Sequence, residues 1–277
     1  MSERHQRPCV LVFAGHDPSG GAGIQADIEA IAAQGAHAVP IITALTVQDN
    51  NRVHAIYPVS TEILREQFDA VFAQLPIAAI KLGIVGSFDN ANLIADCIAR
   101  LRQRQPEIFV VVDPVLASGH GDALAIQDPL HALRPLLAYA TLLTPNLPEL
   151  ARLIRVEDSD SNEDQKAEIL CRQFSCDVLL KGGHAQGELV SNHWFQRQSA
   201  PTLSIQKTSW HWPRLHGEFH GSGCTLAAAI AGRFALGDNA PRALSLAQDY
   251  VQQCLRNAYA IASGQAIPSR SLFQGAV

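Results

Sequence analysis

The chain has 277 residues, of which 47% belong to the AVILMFWYC set and 17% are charged, with a net charge of −5. A chain of this length buries enough surface to hold a core without disulfides or a structural metal, and the composition excludes a disordered, collagen-like or coiled-coil protein. The acidic balance excludes the basic footprint of a nucleic-acid binder.

Apolar runs at residues 9–14, 39–46, 78–82, 108–112, 141–143 and 178–180 predict strands covered on both faces. Between them, amphipathic patterns over 23–34, 61–74, 91–103, 129–137, 147–154 and 162–174 predict helices. This alternation implies βαβ units: an α/β fold with a mostly parallel central sheet and helices on both faces. After Lys181 the pattern changes. Mixed polar and aromatic runs at 188–195 and 202–205 predict antiparallel or edge strands, and helices over about 223–236 and 241–262 close the chain. No internal repeat or long linker interrupts it, so one domain is predicted over 1–277, with a polar tail at 1–8 and a C-terminal tail at about 264–277. The polar stretch 157–164 (EDSDSNED) predicts a solvated loop, with Ser161 or Asn162 capping the next helix.

The six cysteines, Cys9, Cys97, Cys171, Cys176, Cys224 and Cys254, form no CxxC pair, and most lie within or beside apolar runs. The polar start MSERHQRP lacks a signal-peptide pattern, and the apolar stretch 225–232 ends at Arg233, too short to cross a bilayer. A reduced, cytoplasmic protein with no membrane or nucleic-acid partner is the expectation. His211, His216 and His220 lack a recognised zinc spacing.

Open α/β sheets bind ligands outside the carboxyl ends of their strands, and four strand ends here carry unusual residues. After the first strand comes GHDPSGGAGIQAD (15–27). It lacks the Lys-Ser/Thr of a Walker loop, while Gly21-x-Gly23-x-x-Ala26 fits a dinucleotide fingerprint only loosely. Its four glycines suit either a flexible turn or close backbone approach to a ligand. Gln48 ends the second run, where its amide suits a heteroaromatic edge or simply a turn. Asp113 follows IFVVV and suits magnesium, proton transfer or an Asp-Pro turn.

The fourth strand end is His220-Gly221-Ser222-Gly223-Cys224-Thr225, leading into an Ala-rich helix. Glycines just before a helix free successive N–H groups to point at an anion, and the helix dipole assists. Cys224 at that positive end is expected to have a thiol pKa lowered from about 8.5; the other reading is a structural Cys beside a glycine cap. Two segments support this set. Asn146 and Glu149 form either a capping box or part of a metal and nucleotide site. Lys181, before a glycine pair, either meets phosphates or begins a turn.

Taken in order, AGHDPSGGAGIQAD (14–27), ITALTVQDN (42–50), IKLGIVGS (80–87), VVVDPVLASGHGD (110–122), LLTPNLPEL (142–150), VLLKGGH (178–184) and HGSGCTLAAAIA (220–231) resemble the hydroxymethylpyrimidine/phosphomethylpyrimidine kinases of thiamine biosynthesis, in the ribokinase-like superfamily. The resemblance implies a ribokinase-like three-layer sandwich with nine or ten strands, assembled as a homodimer, with ATP and Mg2+ as cofactors. It implies that 4-amino-5-hydroxymethyl-2-methylpyrimidine, a small-molecule substrate, lies against Gly15, with Asp27 and Gln48 bonding its ring and amino group. Ile84 stands where the family often has Met, a volume-conserving exchange. ATP phosphates would meet Lys181 and the turn Gly221–Cys224, in which Ser222 replaces the commoner Thr. Asn146 and Glu149 match an NxxE element that orders magnesium and its waters, and Asp113 matches an acid near the metal. Cys224 occupies the position at which many superfamily members carry a general-base Asp. It serves either as that base or only through its N–H.

The resemblance therefore implies a kinase that phosphorylates the pyrimidine and then its monophosphate. The alternatives are a pyridoxal or pyridoxine kinase on the same scaffold, a non-catalytic pyrimidine-binding paralogue, and a nicotinamide dehydrogenase resting on Gly21–Ala26 with Asp49 as its ribose acid. The segment 117–122 has the composition of an active-site flap, and 211–219 lies on the expected nucleotide side.

Overall fold

The structure, a computed structural model, describes residues 6–116, 128–154, 158, 160–185, 187–198 and 204–271. The flap predicted at 117–122 lies outside them. In chain order the elements are β1 (Cys9–His16), α1 (Gly23–Ala33), β2 (His37–Gln48), β3 (Val53–Pro58), α2 (Thr61–Gln74), β4 (Ile77–Leu82), α3 (Phe88–Arg104), β5 (Phe109–Val112), α4 (Pro129–Leu137), β6 (Leu142–Leu143), α5 (Leu147–Leu153), α6 (Glu163–Phe174), β7 (Asp177–Leu180), β8 (Leu189–Arg197), β9 (Ile205–Pro213), α7 (Ser222–Ala235) and α8 (Ala240–Arg256).

The strands form one nine-stranded sheet in the order β3-β2-β1-β4-β5-β6-β7-β8-β9. Neighbours from β2 through β7 run parallel, while β3, β8 and β9 pair antiparallel. Strand side chains alternate between faces, so β1 sends Cys9, Leu11 and Phe13 to one core and Val10, Val12 and Ala14 to the other. The first core is roofed by α2 to α6, with Phe68, Ile94 and Leu136 buried there, and the second by α1, α7 and α8. Removing a large buried ring such as Phe68 would cost about 3–5 kcal/mol. This is the α/β three-layer sandwich, mostly parallel and ribokinase-like, that the sequence predicts.

Helix α7 is buried on every side from Thr225 to Gly232. Its small residues let it lie between the sheet and the helices α1 and α8, with both of which it makes contact. The helices α2, α3, α6 and α8 each begin at a Ser or Asn whose side chain accepts an N–H of the first turn. Of the two caps predicted for α6, Asn162 is the one used, in a reciprocal pair with Gln165.

Two expectations are corrected and one strand is added. The strand expected at 202–205 is β9, Ile205–Pro213, which runs eight residues past the expected end. The final helix stops at Arg256, not at 262, because residues 259 and 267 pair as an isolated bridge that turns the chain back. Strand β3 is an addition: it is an edge strand with no fully buried residue, so its sequence lacks the apolar run that marks the others.

Candidate active site

A cavity of about 550 Å3 lies at the carboxyl ends of the parallel strands, and every predicted site residue except Asp27 lines it. Strand β1 sits where the order reverses, because the chain steps from β1 to β2 on one side and from β4 to β5 on the other. Crevices form at such switch points.

One pole is built by β1, β2 and the segment after β4. A Cβ on Gly15 would lie 3.6 Å from both the Ala44 carbonyl oxygen and the Ile84 Cβ. The bare backbone therefore deepens the slot at this wall by about a methyl group, with Ile84 beside it. Gln48 closes β2 and supplies an amide to the same cavity. The loop after β1 is held from within: Asp17 accepts N–H bonds from Ser19 at 2.8 Å and Ala22 at 2.7 Å. Its Oδ2 also lies 2.9 Å from His220 Nε2. Burial raises the pKa of Asp17, but the hydrogen bonds from His220 and Ser19 outweigh it and hold the carboxyl well below the usual range.

The other pole gathers charge. Lys181 Nζ lies 2.8 Å from Asp113 Oδ1 and 3.9 Å from Glu149 Oε2. Thr144 Oγ1 donates to the same Asp113 oxygen at 3.1 Å. Burial lowers the pKa of Lys181, yet Asp113 and Glu149 push it above its usual value, so it stays an ammonium. Burial pushes Glu149 up to about 7; Lys181 pulls it back and Asp113 repels it further. The capping alternative for Asn146 and Glu149 is realised as well: Asn146 N–H donates to Glu149 at 2.8 Å and Glu149 N–H to Asn146 at 2.9 Å. Capping thus fixes the carboxylate beside Lys181, and the two readings describe one geometry.

The turn into α7 completes this pole. Gly221 is its N-cap, at φ 79°, and no side chain caps the first turn. A Cβ on Gly221 would clash with the Gly21 carbonyl and come within 2.9 Å of the Arg270 guanidinium, so only glycine fits. A Cβ on Gly223 would stand 3.2 Å from Lys181 Nζ, which places the ammonium directly over the turn. Uncapped N–H groups on a helix N-terminus, with a lysine above them, suit a phosphate.

Two expectations change here. Cys224, partly exposed at the cavity wall, has its thiol pushed up to about 11 rather than lowered. Burial dominates; Lys81 favours the thiolate, while the carboxylates of Asp113 and Asp27 oppose it. Asp27 is not at the cavity wall. Its side chain is fully buried and its Oδ2 pairs with Lys81 Nζ at 2.8 Å, while Oδ1 is buried without a partner. The register explains this: Lys81 lies two residues after Ala79 on β4, shares its side of the sheet and therefore faces the α1 and α7 layer, where Asp27 lies on α1.

Among the described residues, no group of three His, Cys, Asp or Glu side chains could bind a metal directly. Magnesium retains several waters and needs only one or two carboxylates. Asp113 and Glu149, two carboxylates facing one lysine, leave negative charge to be balanced, and this donor set fits a hydrated ion.

Compared with known proteins, residues 17–269 match the family described as phosphomethylpyrimidine kinase. The chain belongs to this family. It is accordingly a phosphotransferase. The hydroxymethylpyrimidine/phosphomethylpyrimidine kinase of Mycobacterium tuberculosis is 36% identical over 278 residues, spanning 96% of this chain and 94% of the relative. A multifunctional thiamine biosynthesis protein of Corynebacterium glutamicum is 34% identical over 263 residues, and there the chain spans only 33% of the relative's length. Among solved structures, phosphomethylpyrimidine kinase from Clostridium difficile superposes with a TM-score of 0.68 at 28% identity, covering 90% of this chain and 100% of that one. Pyridoxal kinase from Staphylococcus aureus in complex with AMP-PCP and pyridoxal reaches a TM-score of 0.80 at 22% identity, covering 97% and 95%. That second likeness is one of fold.

Sequence reasoning did not single out Lys81, Asp17, Thr144, His220 or Arg270 for a role. Lys81 had a signal: a lone charge inside a run otherwise apolar enough for a doubly covered strand. The pairing of Asp17 with His220 had none, since 203 positions separate them.

Proposed function

We propose that the chain transfers the γ-phosphoryl group of ATP to the hydroxymethyl oxygen of 4-amino-5-hydroxymethyl-2-methylpyrimidine, and a second phosphoryl group to that monophosphate, in thiamine biosynthesis. The observation that carries this reading is one cavity with a Gly15–Gln48 slot at one pole and an uncapped α7 turn beside Lys181 at the other, in a chain of the phosphomethylpyrimidine kinase family.

In this reading the pyrimidine lies against the backbone at Gly15 with Ile84 beside it, and the Gln48 amide bonds its amino group and a ring nitrogen. Asp27 takes no part in ring recognition and instead holds the Lys81 ammonium in place. Lys181 and the N–H groups of Ser222, Gly223 and Cys224 receive the phosphates, with Gly221 giving the turn its left-handed entry. The hydroxymethyl oxygen forms the new O–P bond as the bond to the β,γ-bridging oxygen breaks. ADP keeps that electron pair, and the hydroxyl proton passes to water as the O–P bond forms. Alignment and charge stabilisation dominate such transfers. A thiol pushed up to about 11 is protonated at neutral pH, so Cys224 enters the reaction as a donor through its N–H rather than as a ready-made base. Asp113 and Glu149 would hold Mg2+ through water, and the ion would neutralise phosphate charge.

The same reading includes a homodimer and a reduced compartment such as the cytoplasm. Leu45, Val47 and Tyr57 are 49%, 49% and 60% exposed on β2 and the edge strand β3, with Leu45 directly opposite Tyr57. Such a stripe suits a two-fold contact, and sedimentation equilibrium reads it. All six cysteines are free thiols.

The deciding experiment offers the pyrimidine and pyridoxal side by side with ATP and magnesium and follows product masses. Successive gain of one and two phosphates on the pyrimidine is expected. Turnover of pyridoxal alone would move the assignment to a vitamin B6 kinase, and turnover of neither would favour a binding paralogue.

A further inference from the structure

Arg270 follows α8 in the returning chain and lies on no helix or strand, yet its side chain is completely buried. Donors on all three guanidinium nitrogens are engaged. Nε donates to Thr225 Oγ1 at 2.8 Å, Nη1 to the Gly20 carbonyl at 3.4 Å, and Nη2 to the Gly21 carbonyl. Its one ion-pair partner among the described residues, Glu29 at 3.2 Å, is about half exposed. The fork therefore spends its geometry on backbone and hydroxyl oxygens.

Those oxygens lie behind the cavity wall, in the two segments that build its poles. Gly20 and Gly21 lie in the loop after β1, and Thr225 lies in the first turn of α7. The segment carrying Arg270 is itself anchored. Tyr250 Oη donates to the Arg270 carbonyl at 2.8 Å, Ser269 N–H to the Cys254 carbonyl at 3.0 Å, and Asn50 Nδ2 to the Ser263 carbonyl at 3.2 Å. A buried cation is a costly way to gain stability, and an apolar side chain of similar volume often serves as well. A planar fork of fixed geometry provides orientation, which a lysine point charge cannot reproduce.

We propose that Arg270 is a positioning residue for phosphoryl transfer: its guanidinium ties the loop after β1 to the first turn of α7 and so sets the distance between acceptor and phosphate. This rests on the proposed reading of the two poles.

The test compares the full-length wild type with Arg270→Ala and Arg270→Lys. In Arg270→Ala, kcat on the pyrimidine is expected to fall about a hundredfold, the scale of an ångström-sized misplacement, with KM for ATP within about threefold. Added methylguanidinium should restore at least about tenfold of that loss, as a ligand refilling the vacated fork, and ammonium should not. Hydrogen exchange at the amides of residues 20–24 and 222–226 should rise in both variants. A kcat within about threefold of wild type overturns the proposal, as does a loss that tracks the melting temperature and ignores methylguanidinium. If Arg270→Ala does not fold, kcat and exchange in Arg270→Lys decide. Failure of both variants to fold would make the residue structural and overturn the proposal. A wild type inactive on the pyrimidine sinks the substrate reading instead, and exchange alone then decides: unchanged protection overturns the tie, and raised exchange supports it.

Discussion

His220 Nε2 lies 2.9 Å from Asp17 Oδ2, which joins the residue leading into the α7 turn to the loop that follows β1. This contact and the Arg270 fork are separate ties between the same two segments.

The Asp17 contact has a pH signature. An aspartate whose folded pKa is depressed contributes stability that is fully present above its unfolded pKa, about 3.9, and is lost as pH falls through the folded value. Asp17 is such a group. Asp17→Asn is therefore expected to lose less stability than wild type on acidification from about pH 4 to about pH 2. Urea midpoints across that range are the measurement, and parallel curves would mean that Asp17 carries no such linkage.

The pair Lys81–Asp27 has both side chains fully buried. Lys81→Met leaves a buried carboxylate alone and is expected to cost about 3–5 kcal/mol. Lys81→Met with Asp27→Leu removes both charges and should cost less than the sum of the single changes, because residues in contact couple. Equilibrium urea unfolding of the double-mutant cycle reads the difference. Strict additivity would show that the two charges do not depend on each other.

Glu149 has a double role that one substitution separates. Gln165 caps α6 from the same position relative to Asn162 that Glu149 takes relative to Asn146, so Glu149→Gln should keep the cap. It removes a carboxyl that burial pushes up to about 7. A raised acid pKa means that stability is lost as pH climbs from the unfolded value, about 4.3, through the folded one. The variant should therefore match or exceed the wild-type melting temperature near pH 8, while phosphorylation falls by at least about tenfold. A variant that melts earlier but keeps full activity would contradict both halves.

Cys224 is the one partly exposed thiol among six cysteines. With its thiol pushed up to about 11, iodoacetamide labelling should be slow at neutral pH and still rising at about pH 10, without the early plateau of an activated cysteine. Peptide mass spectrometry over a pH series measures this. A plateau near pH 7 would restore the thiolate base.

The strands legible in the sequence are those covered on both faces. IFVVV has no polar side to confuse it, and β1, β4 and β7 read the same way. Edge strand β3 and the outermost strand β9, where Gln206, Lys207 and Ser209 alternate with Ile205, Thr208 and Trp210, present half-wet patterns that match no buried run. The site divides along the same line. Gly15, Gln48, Asp113, Lys181 and the turn Gly221–Cys224 sit at strand ends or before a helix, where local chemistry and chain position mark them. Arg270 lies in a stretch that local pattern reads as tail, and its partners come from the far end of the chain. The Cys224 pKa was misread because a helix dipole is visible in sequence, whereas burial among carboxylates is not.

The reversal of strand order at β1 divides the strand ends into two groups. Under the proposed reading, the segments after β1, β2 and β4 choose the alcohol, while those after β5, β6 and β7 and the start of α7 handle the phosphates. Each set hangs from its own side of the junction, and the contacts of Asp17 and Arg270 are the hinge pins between them. Substitutions on the recognition side can then exchange one ring for another without rebuilding the phosphate machinery. A scaffold divided in this way is free to diversify one half at a time.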